Sequence, residues 1–323
     1  MMDKVIEIEK VFKEKCKNTG AVIVQKNGVR VYEYYQNECT EHSPFHVFSV
    51  TKSILSILLG IAIDKGYIKS IDQPILDFFP DYTIKKREKT IQQIKLRDMM
   101  TMTAPFKFKS APYTKYFTSE DWVKSSLDLL GGKGTIGEFR YAPLIGPDIF
   151  SGVLAKTTGI SVLNFANKYL FRPLEIEVQR DVVFHSKEEQ LAFYKSRTVR
   201  GWVAGPTGVH TGGWGLMLTP DDMIKLGQLY LNEGQWNGQQ IVSKEWIRES
   251  TEEKSRWGEL KYGLLWWIID KEDHSFAALG DGGNVIYVNP KQKTVIIIAS
   301  YFKPRVEDRM KLIKEYIEPI WSE

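Results

Sequence analysis

The stretch FSVTKSILSILLG, residues 48–60, constrains the fold more than any other. With the adjoining IAI, 49–65 reads as a helix with little exposed surface, so it belongs inside the molecule. One lysine, Lys52, stands within it, three residues after Ser49. Side chains at i and i+3 share a helix face, and a lysine is almost never buried without a partner. Ser49 falls at the helix start, where unpaired N–H groups and the dipole favour negative charge. A serine is a weak nucleophile until a base takes its proton. A desolvated lysine has a depressed pKa and can be that base, while the serine's own N–H can donate to a developing oxyanion. The plain alternative is an N-cap serine followed by a solvated lysine. A second Ser-x-x-Lys, SYFK at Ser300, follows the strand-like VIIIA and leads to Pro304, so its lysine is not on a helix face.

Around this helix the pattern changes along the chain. Residues 3–18 read as an amphipathic helix ended by Asn18-Thr19-Gly20. AVIVQKNGVRVYEYY reads as a hairpin about Asn27-Gly28. The middle, about 70–200, carries helical patches and many loops. Thr219 is a plausible N-cap with Pro220 at the first helical position and Gly234 ending the helix. YGLLWWIID, HSFAALG, NVIYVNP and KTVIIIASYF read as strands, and 305–317 as a final helix. The simplest assembly is an antiparallel sheet built from both termini with a helical insertion.

Composition narrows the function classes. The 44 basic and 40 acidic residues are interspersed, which gives no nucleic-acid footprint. No stretch reaches the ~18 apolar residues of a membrane span, and the N-terminus lacks a secretory pattern. Cys16 and Cys39 form neither a disulfide framework nor a metal pattern, and the five histidines lack metal-ligand spacing. The expectation is a cytoplasmic protein with no metal or organic cofactor.

The chain resembles the serine β-lactamase-like family, which includes class C β-lactamases, penicillin-binding proteins, family VIII esterases and 6-aminohexanoate-dimer hydrolases. FSVTKSILSILLGIAIDKGYIKSIDQPILDFFP is similar to that family's nucleophile helix and following loop. IQQIKLRDMMTMTAP, GEFRYAPLIGPDIFSGVLAKTTG and TGGWGLMLTPDDMIKLGQLYLNEGQWNGQQIVS resemble three further family segments. The resemblance implies an α/β (α+β) β-lactamase/transpeptidase-like fold. Residues 1–69 and 201–323 would form the sheet domain and 70–200 a mainly helical domain, with the active site in the cleft between them. It also implies Ser49 as nucleophile, Lys52 as base, and Tyr141 as proton shuttle, a tyrosine whose pKa a neighbouring lysine cation can lower. Apart from the resemblance, Tyr141 reads as an amphipathic core tyrosine.

Two departures shape the expected substrate. YAP places Pro143 where the family often has asparagine, and the segment to Gly152 is about two residues longer; Asp148 is a candidate to take over a polar role. ALGDGG resembles the family's Lys/His-Thr-Gly strand with Gly280, Gly282 and Gly283 in register, but puts Ala278 at the cationic position. Alanine cannot bind a substrate carboxylate, whereas a backbone N–H at Asp281 can still complete an oxyanion hole. Gly280, Asp281, Gly282 and Trp214 are therefore the expected oxyanion and substrate-binding residues. Trp202, Trp266 and Trp267 are candidates for an acyl pocket or ordinary core, and His210 reads as structural. The expected activity is a serine hydrolase forming an acyl-enzyme on a small ester or amide. Penicillin binding or hydrolysis, and an inactive binding module of the same fold, are the alternatives.

Overall fold

The computed structural model describes residues 2–85 and 87–322. Helix α1 (Met2–Lys15) leads into an eight-stranded antiparallel sheet. In chain order its strands are β1 (Thr19–Lys26), β2 (Val29–Tyr35), β3 (Ser255–Trp257), β4 (Leu260–Tyr262), β5 (Trp267–Asp270), β6 (Ser275–Gly280), β7 (Asn284–Asn289) and β8 (Thr294–Ser300). Their spatial order is β2-β1-β8-β7-β6-β5-β4-β3, so strands from the two ends of the chain meet at the β1–β8 ladder. Asn27 and Gly28 both have positive φ, as a two-residue hairpin turn of this kind demands.

Period-two alternation gives the sheet two apolar faces. Val22, Val24, Tyr287, Ile296 and Ile298 pack with Ile8 and Phe12 of α1 and with Leu312, Ile313 and Ile317 of the C-terminal helix. Ala21, Ile23, Ala278, Ile286, Val295 and Ile297 face the other way, into the main core around helix α2 (Val50–Asp64). Terminal helices thus cover one face and α2 the other. Among the described residues no single helix is long and apolar enough to cross a membrane.

The middle of the chain contributes α3 (Trp122–Leu129), α4 (Asp148–Thr158) and several shorter helices. Its core side chains, among them Ile75, Met100, Ile149 and Phe165, share one continuous cluster with α2 and the sheet. A short parallel ladder pairs Arg180–Val182 with Gly201–Val203, tying the helical segment to the chain beyond residue 200. Helix α5 (Pro220–Leu231) starts as expected. The Thr219 hydroxyl accepts from the Asp222 N–H and the Asp222 carboxylate accepts from the Thr219 N–H, a reciprocal capping box. The helix gives way at Asn232, and Gly234 closes the turn by donating to the Leu229 carbonyl.

Two expected elements are corrected. The last helix starts at Arg309 rather than 305, because Asp308 caps it by accepting from the Met310 and Lys311 N–H groups. YGLLWWIID is not one strand: β4 ends at Tyr262, and Leu264, Leu265 and Trp266 turn inward as a buried loop before β5. Serine hydroxyls inside α2 make this possible. Ser53 donates to the Leu265 carbonyl and Ser56 to the Leu264 carbonyl, each at 2.7 Å. Removing one such donor leaves a buried carbonyl unsatisfied, which costs about 1–3 kcal/mol. Ser56→Ala should therefore lower unfolding stability by about that amount in denaturant titration, despite alanine's better helix propensity; unchanged or raised stability would contradict the pairing.

Candidate active site

Burial of α2 runs without interruption from Val50 to Ala62, and Lys52 is 1% exposed. Ser49 occupies the N-cap position, yet its side chain makes no capping hydrogen bond. Its hydroxyl instead accepts from Lys52 Nζ at 2.7 Å. The capping alternative for Ser49 and the solvated alternative for Lys52 both fail on this contact. Lys52 Nζ also donates to the Gly213 carbonyl at 3.2 Å. Burial is the largest influence on this amine and pushes its pKa down to about 7, with the charges of Asp281 and Asp148 partly opposing. At neutral pH a large share of Lys52 is then free base with its lone pair available to the serine proton.

Phe48, just before the serine, holds φ at +48°, a region a bulky side chain rarely adopts. Its ring lies tilted against that of His46, 3.8 Å between centres, and that of Phe302, 5.3 Å. This backbone bend sets the entry into α2 and is local strain fixed by aromatic packing.

Tyr141 lies in the irregular segment before α4, with Lys52 Nζ 5.3 Å from its ring centre. Its hydroxyl interacts with Ser49. The expectation of a lowered pKa is corrected: burial dominates and pushes the phenol up to about 12. Tyr141 is therefore a neutral phenol, fit to donate or relay a proton rather than to act as a standing base. Its ring packs against half-buried Trp267, 5.4 Å away, and against Tyr262.

Asp148 was legible only as a candidate, and the structure gives it definite partners. It sits in the first turn of α4, 2% exposed. Its carboxylate accepts from the Gly212 N–H at 2.7 Å and from the Tyr116 hydroxyl. Burial, the largest cause, raises its pKa to about 6 against these hydrogen bonds and the pull of Lys52. The lengthened segment packs tightly on the same turn: a Cβ on Gly212 would lie 2.1 Å from the Pro147 carbonyl oxygen, and one on Gly213 2.6 Å from that of Pro143. Only glycines permit this approach, which delivers the Gly213 carbonyl to Lys52.

The other wall is the end of β6. A Cβ on Gly280 would sit 2.2 Å from the Val47 carbonyl oxygen, so the strand end abuts the backbone leading into Ser49. Gly280, Asp281, Gly282 and Gly283 form a turn in which the Gly283 N–H donates to the Gly280 carbonyl. Asn284, fully buried, donates through its side-chain amide to both the His46 and Asp281 carbonyls, at 3.3 and 2.9 Å. It thereby ties the two backbone arms together. Among the described residues neither the Ser49 nor the Asp281 N–H has an acceptor, which leaves two donors for a substrate oxygen at a helix N-terminus.

Sequence reasoning missed His46 and Asn284, which no short motif marks. Burial drives the His46 pKa down to about 3, so its Nε2 is a neutral acceptor for the Gly215 N–H at 2.8 Å. Trp214, expected against the substrate, is 2% exposed, its ring packed among His46, Phe117 and Tyr194. Trp202 and Trp266 are fully buried in the core. His210 pairs with Asp181 at 2.8 Å. Among the described residues no group of three or more His, Cys, Asp or Glu could hold a metal ion.

The beta-lactamase family profile matches residues 8–316. The chain belongs to the beta-lactamase family. It is 21% identical over 314 residues to the 6-aminohexanoate-dimer hydrolase of Paenarthrobacter ureafaciens, covering 90% of this chain and 74% of that one. Two solved beta-lactamase-fold neighbours are penicillin-binding protein homologues. The octameric one from Pyrococcus abyssi superposes with a TM-score of 0.69 at 19% identity, over 98% of this chain and 76% of its own. The one from Caulobacter crescentus gives 0.70 at 14% identity, over 93% and 91%. These likenesses establish the shared β-lactamase/transpeptidase-like fold.

The geometry sets expectations for reaction with a fluorophosphonate, which acylation-competent serines attack. Lys52→Ala should slow modification of Ser49 by at least ~10²-fold, and Tyr141→Phe should slow it with the fold intact. For the unaltered protein the rate should climb as pH rises through about 7, as Lys52 loses its proton. Full-rate reaction of Tyr141→Phe would reduce that residue to packing.

Proposed function

We propose that the protein is a serine hydrolase that turns over a small ester or amide through an acyl-enzyme on Ser49. The observation that carries this reading is the 2.7 Å contact between a fully buried, pKa-depressed Lys52 and the Ser49 hydroxyl. Ser49 Oγ attacks the substrate carbonyl as its proton passes to neutral Lys52. The Ser49 and Asp281 N–H groups receive the oxyanion. The C–O or C–N bond breaks as a proton reaches the leaving group, relayed from Lys52 through the Tyr141 phenol. Water then attacks the acyl-enzyme by the reverse relay. The hydrolase activity in the name of the Paenarthrobacter relative supports the same class.

The substrate reading follows from Ala278, which points into the core beside α2 and is 0% exposed. No cation is offered there to a carboxylate, which favours a substrate lacking one over a penicillin. Against an inactive binding module stands the intact Ser49–Lys52 pair, since an unused buried lysine is costly to keep.

A fluorophosphonate probe should label Ser49, located by peptide mass, and Ser49→Ala should abolish labelling. Ser300→Ala should keep it, because Ser300 is buried between Thr19 and the β6–β7 turn. Labelling that survives Ser49→Ala would place the nucleophile elsewhere.

A further inference from the structure

We propose that the Asp281 carboxylate selects, at this same site, esters or amides that carry a positive charge. This rests on the serine-hydrolase reading and names its substrate class. Asp281 has two separable parts. Its backbone N–H is one of the two free oxyanion donors, and its side chain is exposed, with no hydrogen bond or ion pair to any described residue. An unpaired carboxylate on the residue that offers the second free N–H repels anions and attracts cations.

The turn that carries it is held from three sides. Gly280 abuts the Val47 carbonyl, Asn284 grips the Asp281 carbonyl, and the Asn18 amide donates to the Gly282 carbonyl at 2.7 Å. The carboxylate is thus presented from fixed backbone. It is close enough that its charge raises the pKa of both Lys52 and Tyr141. Asp148 adds a second, buried carboxylate whose charge also reaches Lys52.

Three arginines are engaged elsewhere. Arg309 donates to Cys16, Asn18 and Thr19. Arg140 donates to the Phe106 carbonyl, and Arg197 lies over the Tyr301 ring. Lys303 shares with Asp281 the wall of a 270 Å³ cavity that also holds Glu307 and Asp308. With Ala278 at the position of the family's cation, the side-chain charge beside the free Asp281 N–H donor is negative.

The test uses the purified full chain and three butyrate esters of matched shape: butyrylcholine, its uncharged tert-butyl isostere, and the corresponding carboxylate. The ranking is read twice, as acid release and as protection of Ser49 from a fluorophosphonate. The expected order is cation, neutral, anion, with about two- to fivefold between neighbours, the range for an exposed charge pair. Asp281→Asn keeps the backbone donor, so the ratio of cation to neutral should fall towards one, and added salt should narrow it in the unaltered protein. A flat or reversed ranking with Ser49 still labelled, or a ranking that persists in Asp281→Asn, overturns the role of Asp281 and leaves the hydrolase reading standing. Failure of Ser49 to label or turn over any ester overturns both.

Discussion

The structure turns on one amine kept dry. Lys52 sits on an all-buried helix with its Nζ between the Ser49 hydroxyl and the Gly213 carbonyl. A fall in pKa from 10.5 to about 7 corresponds to a preference for the neutral amine of about 5 kcal/mol relative to water. The lysine could not be held this way on a surface helix. It requires the sheet on one side of α2 and the helical segment on the other, which makes the core and the reaction centre the same construction.

The surrounding polar atoms are arranged to keep that amine in place. Asp148 fixes the Gly212–Gly213 turn from α4, and Tyr116 holds Asp148. Neutral His46 fixes the same loop at Gly215, while Asn284 joins the His46 carbonyl to the β6–β7 turn. Asp148, His46 and Asn284 each act on backbone, and Tyr116 acts through Asp148. Among the described residues the Ser49 and Asp281 N–H groups and the Asp281 carboxylate have no partner, so the turn after β6 leaves both a backbone donor and a charge open to a substrate.

Much of this was legible in the chain. The run SILSILLGIAI signalled burial, and only burial made Lys52 informative. The hairpin at Asn27-Gly28, the cap at Thr219 and the sheet built from both ends follow from local turn chemistry and period-two alternation. The features that escaped the sequence depend on distant contacts. His46 and Asn284 lie about 240 positions apart, and their bond exists only once β7 packs beside the strand leading into α2. YGLLWWIID looked like a strand because apolar content does not distinguish a strand from a buried loop whose carbonyls are met by serines on another helix. The Tyr141 pKa went the other way from expectation because desolvation of the phenol outweighs its neighbours.

The central claim is that Lys52 is a near-neutral base, and it can be observed without substrate. Titration of the protein carrying isotope-labelled lysine, followed by NMR at the side-chain carbon next to the amine, should show one lysine, lost in Lys52→Ala, with a midpoint near pH 7. A Lys52 resonance that titrates with the other lysines, near the ordinary value of 10.5, would contradict the account.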